Sequence, residues 1–173
     1  WLVNYIIKHA PVGCRWNSPL LCVPKKDANG ELTGVRICID VRKLNDILED
    51  DKFPIPNIRH ILESLKGKSI FSVIDLKEGF HQFPVAEEDQ VKLSFTFNGQ
   101  KYMFARAPFG IKNLPSIFQR VMMKILGDLE FVSVYIDDII ISSTSVEEHI
   151  EHVKTVLSRL NQANLRIGID KCI

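Results

Sequence analysis

The sequence predicts an α+β fold, an antiparallel sheet with helices packed on one face, joined to a smaller β-rich part. Three observations predict it. From Ser69 onward the order of segments reads strand, turn, hairpin, helix, hairpin, helix. Two hairpin signals, Asn98-Gly99 and Asp137-Asp138, join apolar runs too short to be helices. A separate strand, basic turn and strand lie between Ser18 and Asp40. Helices on one face of an antiparallel sheet is how such an order buries its apolar residues.

Taken in order, "SPLLCVP" (Ser18 to Pro24) and "VRICID" (Val35 to Asp40) read as strands, and "KKDANGELTG" between them as a polar turn. In "FPIPNIRHILESLKG" prolines stand at a helix start and Ile58, Ile61, Leu62 and Leu65 recur at helical spacing. Gly67 stands where that helix stops. "SIFSVID" (Ser69 to Asp75) is a strand that ends in a carboxylate, and "LKEGFHQFPVAEEDQ" after it is a turn or short helix. "VKLSFTF" alternates strictly and leads through Asn98-Gly99 into "QKYMFA", a hairpin. Ser116 to Leu126 predicts a helix with Ile117, Val121 and Ile125 on its buried face and Gly127 as its stop. Phe131 to Ile136 and Ile139 to Ile141 form the second hairpin, with Asp137-Asp138 at its tip. Ser145 and Glu148 make a capping box for a final helix ending near Asn164, whose expected buried stripe is Val146, Ile150, Val153, Leu157 and Leu160.

The totals bound what this chain can be. Its 173 residues suffice for one compact domain, or one and a small lobe, and 46% hydrophobic with 25% charged residues is ordinary globular composition. No apolar run approaches the length that spans a bilayer, so no membrane partner is expected. Cys14, Cys22, Cys38 and Cys172 show no zinc-like spacing and read as buried thiols of a reduced compartment. Trp1 is no natural start, and the chain reads as a piece of a longer polyprotein without a signal peptide. Residues 1–68 carry 11 Lys and Arg against 8 Asp and Glu, whereas residues 69–173 carry 11 against 13. A mildly basic part precedes a mildly acidic one, which suits a phosphate-gripping lobe beside a metal-gripping one.

Asp137-Asp138 is the pair that needs explaining. Two bare carboxylates about 4 Å apart repel by roughly 4 kcal/mol at an effective dielectric near 20, and burial adds to that cost. A solvated turn is one explanation, since Asp is common in turns. A divalent cation is the other: if Asp75 and Asp137 end strands of one sheet, their carboxylates lie side by side. Mg²⁺ takes one or two such ligands and fills its octahedron with water and phosphate oxygens.

The surrounding residues favour the cation. "YIDD" in a hairpin, preceded by Asp75 in "SVIDLKEGFHQFPV", resembles the catalytic palm of reverse transcriptases. "WNSPLLCVPKKDANGELTGVRICIDVRKLN", "FPIPNI", "APFGIKNLPSIFQRVM", "YIDDIIISS" and "EEHIEHVKTVLSRLNQANLRIGIDKC" follow in that family's order. The match runs from about Trp16 to the end and is similar to gypsy-type long-terminal-repeat retrotransposons. The resemblance implies a polymerase palm over residues 69–173 and a fingers subdomain with its connecting helix over 1–68, part of 84–106 being an alternative contribution to the fingers. The thumb, connection and RNase H regions of a parent polyprotein are expected outside these residues.

The resemblance also implies roles. Asp75, Asp137 and Asp138 become the catalytic and metal-binding triad for two Mg²⁺ ions, with Mn²⁺ as a substitute. Asp75 and Asp137 are the direct ligands in it and Asp138 the support. Lys25 and Arg36 match the residues that hold the incoming dNTP triphosphate, Arg offering a planar fork and Lys a mobile point charge. Phe80 matches the aromatic plate that excludes a 2′-hydroxyl. The backbone amides of Leu76, Lys77, Glu78, Gly79 and Phe80 are expected to reach the β and γ phosphates, and Phe109 to line the sugar. Asp40, Arg42 and Asn45, with Tyr135 and Ile136, are assigned to positioning template and primer, a structural role being the alternative for the first three. RNA or DNA template with its primer and dNTPs are the implied partners, and the cytoplasm, within virus-like particles, the implied location.

Departures from the family pattern are few. Val41 stands where an aromatic is usual, Ala107 where Met or Leu is common, and Phe109 where retroviral enzymes carry Gln. Another palm-type nucleotidyl transferase, or a domesticated remnant that binds nucleic acid or a partner without catalysis, stands as the alternative. His149 and His152, at i and i+3, are expected on a solvated face rather than on a metal.

Overall fold

The computed structural model describes residues 1–26 and 29–173. Asp27 and Ala28, in the middle of the expected polar turn, and the side chain of Arg36 lie outside the described residues. The chain divides into two compact units, residues 1–50 with 83–114 and residues 51–82 with 115–173. The division falls at residue 50 where the sequence reading places it at 68. The reason is that the helix after Asn57 belongs with the second unit, its Ser64 Oγ lying 3.1 Å from Ser133 Oγ.

In the first unit, β1 (Ile7–His9) pairs with β6 (Gln100–Phe104), which pairs with β5 (Ser94–Phe97), all antiparallel. The β5–β6 hairpin turns at Asn98 and Gly99, whose φ values of 48° and 73° are those a two-residue loop demands. Alternation extends the β5 strand too far: Val91–Leu93 form a 3₁₀ turn, following the short helix α3 (Glu87–Gln90). A separate ribbon pairs β2 (Leu20–Lys26) with β3 (Leu32–Ile39), and α1 (Arg42–Ile47) follows it. Neither β1 nor α1 is signalled by sequence pattern. Ile6, Ile7, Ile39, Val41, Leu93, Phe95 and Phe104 form the core of this unit.

In the second unit, α2 (Ile58–Ser64) starts where the Asn57 side chain accepts from the Arg59 amide, 2.9 Å. The sheet has the order β4 (Ile70–Asp75), β8 (Asp138–Ser143), β7 (Val132–Tyr135), antiparallel throughout. Register places Ile74 and Val134 opposite Ile139, and Ser72 and Val132 opposite Ile141. These share one face, and Asp75 and Asp138 share the other. The helix α5 (Val146–Gln162) lies against the first face. Residues 166–173 close the far edge of β4. Lys77 N donates to Arg166 O at 2.9 Å, Gly168 N donates to Asp75 O at 2.8 Å, and Val73 and Ile173 exchange both backbone bonds at 2.8 and 3.0 Å. Among the described residues no helix is long and apolar enough to cross a membrane.

Three expectations are corrected. The deeply buried face of α4 (Leu114–Leu126) carries Phe118, Gln119, Met122 and Leu126, with Ile117, Val121 and Ile125 only half-buried. On α5 the buried residues are His149, Val156 and Leu160, whereas Val146, Ile150 and Leu157 are exposed. The two histidines therefore do not form a solvated face. Ser143 Oγ, fully buried, lies 2.7 Å from His149 Nδ1 and 2.8 Å from His152 Nδ1, and His149 Nε2 is 3.0 Å from Ser72 Oγ. A hydroxyl has one proton, so Ser143 donates to one ring and accepts from the other, and the two imidazoles carry different tautomers when neutral. His152 also stacks on Phe131, with centroids 3.5 Å apart. Third, the expected burial of the four thiols is not observed: Cys22 is exposed and the others half-buried.

Candidate active site

β4 ends at Asp75 because the chain must turn there: Leu76 is buried, Glu78 has a positive φ of 50°, and a 3₁₀ turn runs over Gly79–Gln82. Gln82 ties this loop down, donating through Nε2 to Lys77 O (2.7 Å) and Arg166 O (2.8 Å) and accepting at Oε1 from Arg166 N (2.7 Å). Gly79 is buried with Phe118 pressed close, so that a Cβ there would stand 3.4 Å from the ring and 3.6 Å from Asp137 Cβ. Phe80 is half-buried and meets Phe118 edge to face, 5.4 Å between centroids at 74°. The expected role of the Lys77 amide in binding phosphate is corrected, since its N–H is already given to Arg166.

Asp138 opens β8 as the register partner of both Asp75 and Tyr135, so Ile136 and Asp137 alone form the turn. The charges there are poorly compensated. Asp75 Oδ2 is buried and has no hydrogen-bond partner among the described residues. Lys171 Nζ stands 2.9 Å from that oxygen, a counter-charge lying outside hydrogen-bond geometry on a side chain that is itself mostly exposed. Burial, then the neighbouring Asp137 and Asp75, push the Asp138 carboxyl above its ordinary range, and Lys171 only partly opposes them. A buried carboxylate oxygen without a donor beside two further carboxylates is a donor set that a hard divalent cation fits. Among the described residues no three His, Cys, Asp or Glu side chains converge on one point. Mg²⁺ takes one or two carboxylates and completes its shell from water or substrate.

The remaining expected site residues belong to the first unit. Lys25 is exposed on β2 opposite Gly34, and Arg36 pairs with Val23 on β3. Asp40 accepts from Arg42, with Nη2 at 2.6 Å and Nε at 2.9 Å, and these bonds hold its carboxyl down at about 2. Asn45 Nδ2 donates to Gly110 O at 2.8 Å and its Oδ1 accepts from Lys112 N at 3.0 Å, clamping the turn after Phe109. Gly110 has φ 102° and passes so near Val41 that a Cβ would stand 3.3 Å from its Cγ2. Leu21, Cys38, Asp40, Val41, Asn45 and Phe109 line a shallow cavity of about 210 Å³. Asp40, Arg42 and Asn45 thus build one local structure in which Arg42 and Asn45 are both engaged by neighbours. Sequence reasoning missed Gln119, a buried amide beneath the Ile136–Asp137 turn. No signal in the sequence marked it, because the apolar periodicity of this helix puts the interior on Ile117, Val121 and Ile125 and turns Gln119 outward.

A sheet that places aspartates at the adjoining ends of neighbouring strands, with negative charge in excess, makes a carboxylate cluster whose oxygens suit a hard divalent cation. Residues 23–173 match the family model described as reverse transcriptase (RNA-dependent DNA polymerase), and the chain belongs to that family. It is similar to the retrovirus-related Pol polyprotein from transposon 297 of Drosophila melanogaster, 45% identical over 160 residues that cover 91% of this chain. The Pol polyprotein from transposon gypsy of the same organism is 43% identical, covering 90% of this chain. The chain spans about 15% of the length of each. Among solved structures, a foamy viral protease-reverse transcriptase in complex with double-stranded DNA superimposes with a TM-score of 0.88 at 27% identity. That match covers 99% of this chain and 29% of the other.

Proposed function

We propose that this chain is the polymerising part of a retroelement reverse transcriptase, adding dNTPs to a primer 3′-hydroxyl on an RNA or DNA template and releasing pyrophosphate. The observation that carries the reading is the register of Asp75 opposite Asp138, beside the Asp137 turn, in a chain of this family. In this reading Asp75 and Asp137 hold Mg²⁺, or Mn²⁺ in its place, and Asp138 supports them. When bound there, such ions neutralise charge on the attacking and leaving oxygens of an in-line phosphoryl displacement.

The chain's own residues bind and orient. Gly79, lacking a side chain, lets the loop after Asp75 approach phosphate oxygens. Phe80 offers a ring held by Phe118 as the surface against which a deoxyribose is accepted and a ribose rejected. Lys25 and Arg36 are assigned to the triphosphate, and Phe109, on the turn fixed by Asn45, to the sugar. The Asp40–Arg42 pair and Asn45 shape the part assigned to the template.

The test is primer extension on an RNA template with dNTPs and Mg²⁺, by these 173 residues and by the chain joined to C-terminal regions of the kind its longer relatives carry, each beside Asp137→Asn. Extension by the longer form that Asp137→Asn abolishes is the expected result. Equal extension by wild type and variant, or none by either form, overturns the reading.

A further inference from the structure

The chain makes a two-residue hairpin loop twice, with different residues and different backbone demands. Between Phe97 and Gln100 the loop is Asn98-Gly99, residues that accept positive φ. Between Tyr135 and Asp138 it is Ile136-Asp137, and Ile136 has φ 54°. A β-branched residue in that region is an outlier, and hairpins normally place Gly at such a position. A strained conformation of this kind persists only where its surroundings over-determine it.

Gln119 is what over-determines it. The side chain is fully buried on α4, Oε1 accepts from Ile136 N at 2.7 Å, and Nε2 donates to Val134 O at 3.1 Å. One amide thus spans the last turn of β7 and the strained residue, gripping the backbone on both sides of Tyr135. Its neighbour Phe118 braces the other strand end, lying against Gly79 and Phe80. Two consecutive residues of one helix therefore support both backbone segments that carry the aspartates.

We infer that Gln119 is a positioning residue: it holds Ile136 in the left-handed conformation and thereby fixes where the Asp137 and Asp138 carboxylates stand. The inference rests on the cation reading given above for the consequence, and on the hydrogen bonds alone for the clamp. Neither carboxylate has to be touched by Gln119, because a two-residue loop transmits its backbone geometry directly to the next residue. Partners bonded directly to a ligating side chain change metal affinity by about 10–100-fold when removed, and a clamp acting through one backbone residue is expected near the lower figure.

The test uses Gln119→Met, which keeps length and volume and loses both hydrogen bonds, and Ile136→Gly, which removes the need for the clamp by making positive φ easy. In the metal-free chain, amide hydrogen exchange at Ile136 is expected to quicken about tenfold in Gln119→Met. Mn²⁺ affinity, read by electron paramagnetic resonance, is expected to fall about tenfold or more, with circular dichroism unchanged. In the Gln119→Met, Ile136→Gly pair, the affinity returns to within about threefold of Ile136→Gly alone. Unchanged exchange at Ile136 overturns the clamp. Faster exchange with unchanged Mn²⁺ affinity, or failure of Ile136→Gly to reduce the effect, overturns the positioning role. If wild type shows no Mn²⁺ binding that Asp75→Asn removes, the cation reading and the positioning role built on it fall together, and the exchange measurement still decides the clamp by itself.

Discussion

Replacing Asp138 by Asn is expected to make the metal-free chain more stable at neutral pH. Asp138 faces Asp75 in register and adjoins Asp137, and its carboxyl is raised by burial first and by those two charges second. Two like charges about 6 Å apart repel by about 3 kcal/mol at an effective dielectric near 20. Asp138 is exposed, however, and Lys171 opposes its neighbours, so solvent screening leaves about 1 kcal/mol. For a chain of 173 residues that is a rise in melting temperature of about 2–4 °C. The sign in pH follows from linkage. A carboxyl raised in the folded state favours folding when protonated, and that advantage disappears as pH rises through the folded pKa. The gap between variant and wild type should therefore open with rising pH, from nothing at about pH 3 to its full size at about pH 7. Thermal unfolding by circular dichroism in EDTA at the two pH values measures it. Adding Mg²⁺ should stabilise wild type more than the variant, narrowing the gap. A variant no more stable than wild type at neutral pH, or a gain of equal size in acid, refutes the view that the three carboxylates repel with only partial compensation from Lys171.

Further outcomes follow from the site and from the buried histidines. If Phe80 screens the sugar, Phe80→Val raises the use of ribonucleotides relative to deoxyribonucleotides, and an unaltered ratio of kcat/KM for the two returns Phe80 to a packing role. Lys25→Ala raises the KM for dNTP more than it weakens primer-template binding, whereas the reverse pattern makes the β2–β3 ribbon a nucleic-acid clamp. Ser143→Ala strips His149 and His152 of a shared partner and costs about 1–3 kcal/mol of folding stability. An unchanged denaturation midpoint would mean that the rings are satisfied elsewhere.

Local signals carried most of the architecture into the sequence. Asn98-Gly99 dictates its hairpin, Ser145 caps α5, and carboxylates ending apolar strands stand out because burial penalises them so heavily. The Ser145–Glu148 pairing itself is only half reciprocal: Glu148 N donates to Ser145 Oγ at 3.2 Å, but its carboxylate accepts from Thr144 N and Oγ1 at 2.8 and 2.7 Å. What stayed hidden depends on polar groups paired across the fold. Periodicity counts apolar residues, so it rotated the buried faces of α4 and α5 away from Gln119 and His149, whose burial is supported by hydrogen bonds to Ile136, Ser143 and Ser72. The occupied Lys77 amide was equally illegible, because its partner Arg166 is remote in sequence and only tertiary pairing joins them. β1 and α1 are too short for a pattern to accumulate.

The strip of chain from Arg166 to Ile173 also governs how one molecule meets another. An uncovered outer strand is a template: its idle amides and carbonyls will accept any extended peptide, including the same strand of a neighbouring copy. Along β4 that role is taken internally by Ile173 against Val73 and by Gly168 against Asp75. Cutting the chain before Arg166 would bare this row beside the exposed Phe71, and invite stacking between molecules. It would also release the Asp75 carbonyl from Gly168. Colloidal behaviour and the setting of the Asp75 carboxylate are thus tied to the same backbone hydrogen bonds, so a truncation made for solubility would disturb that carboxylate as well.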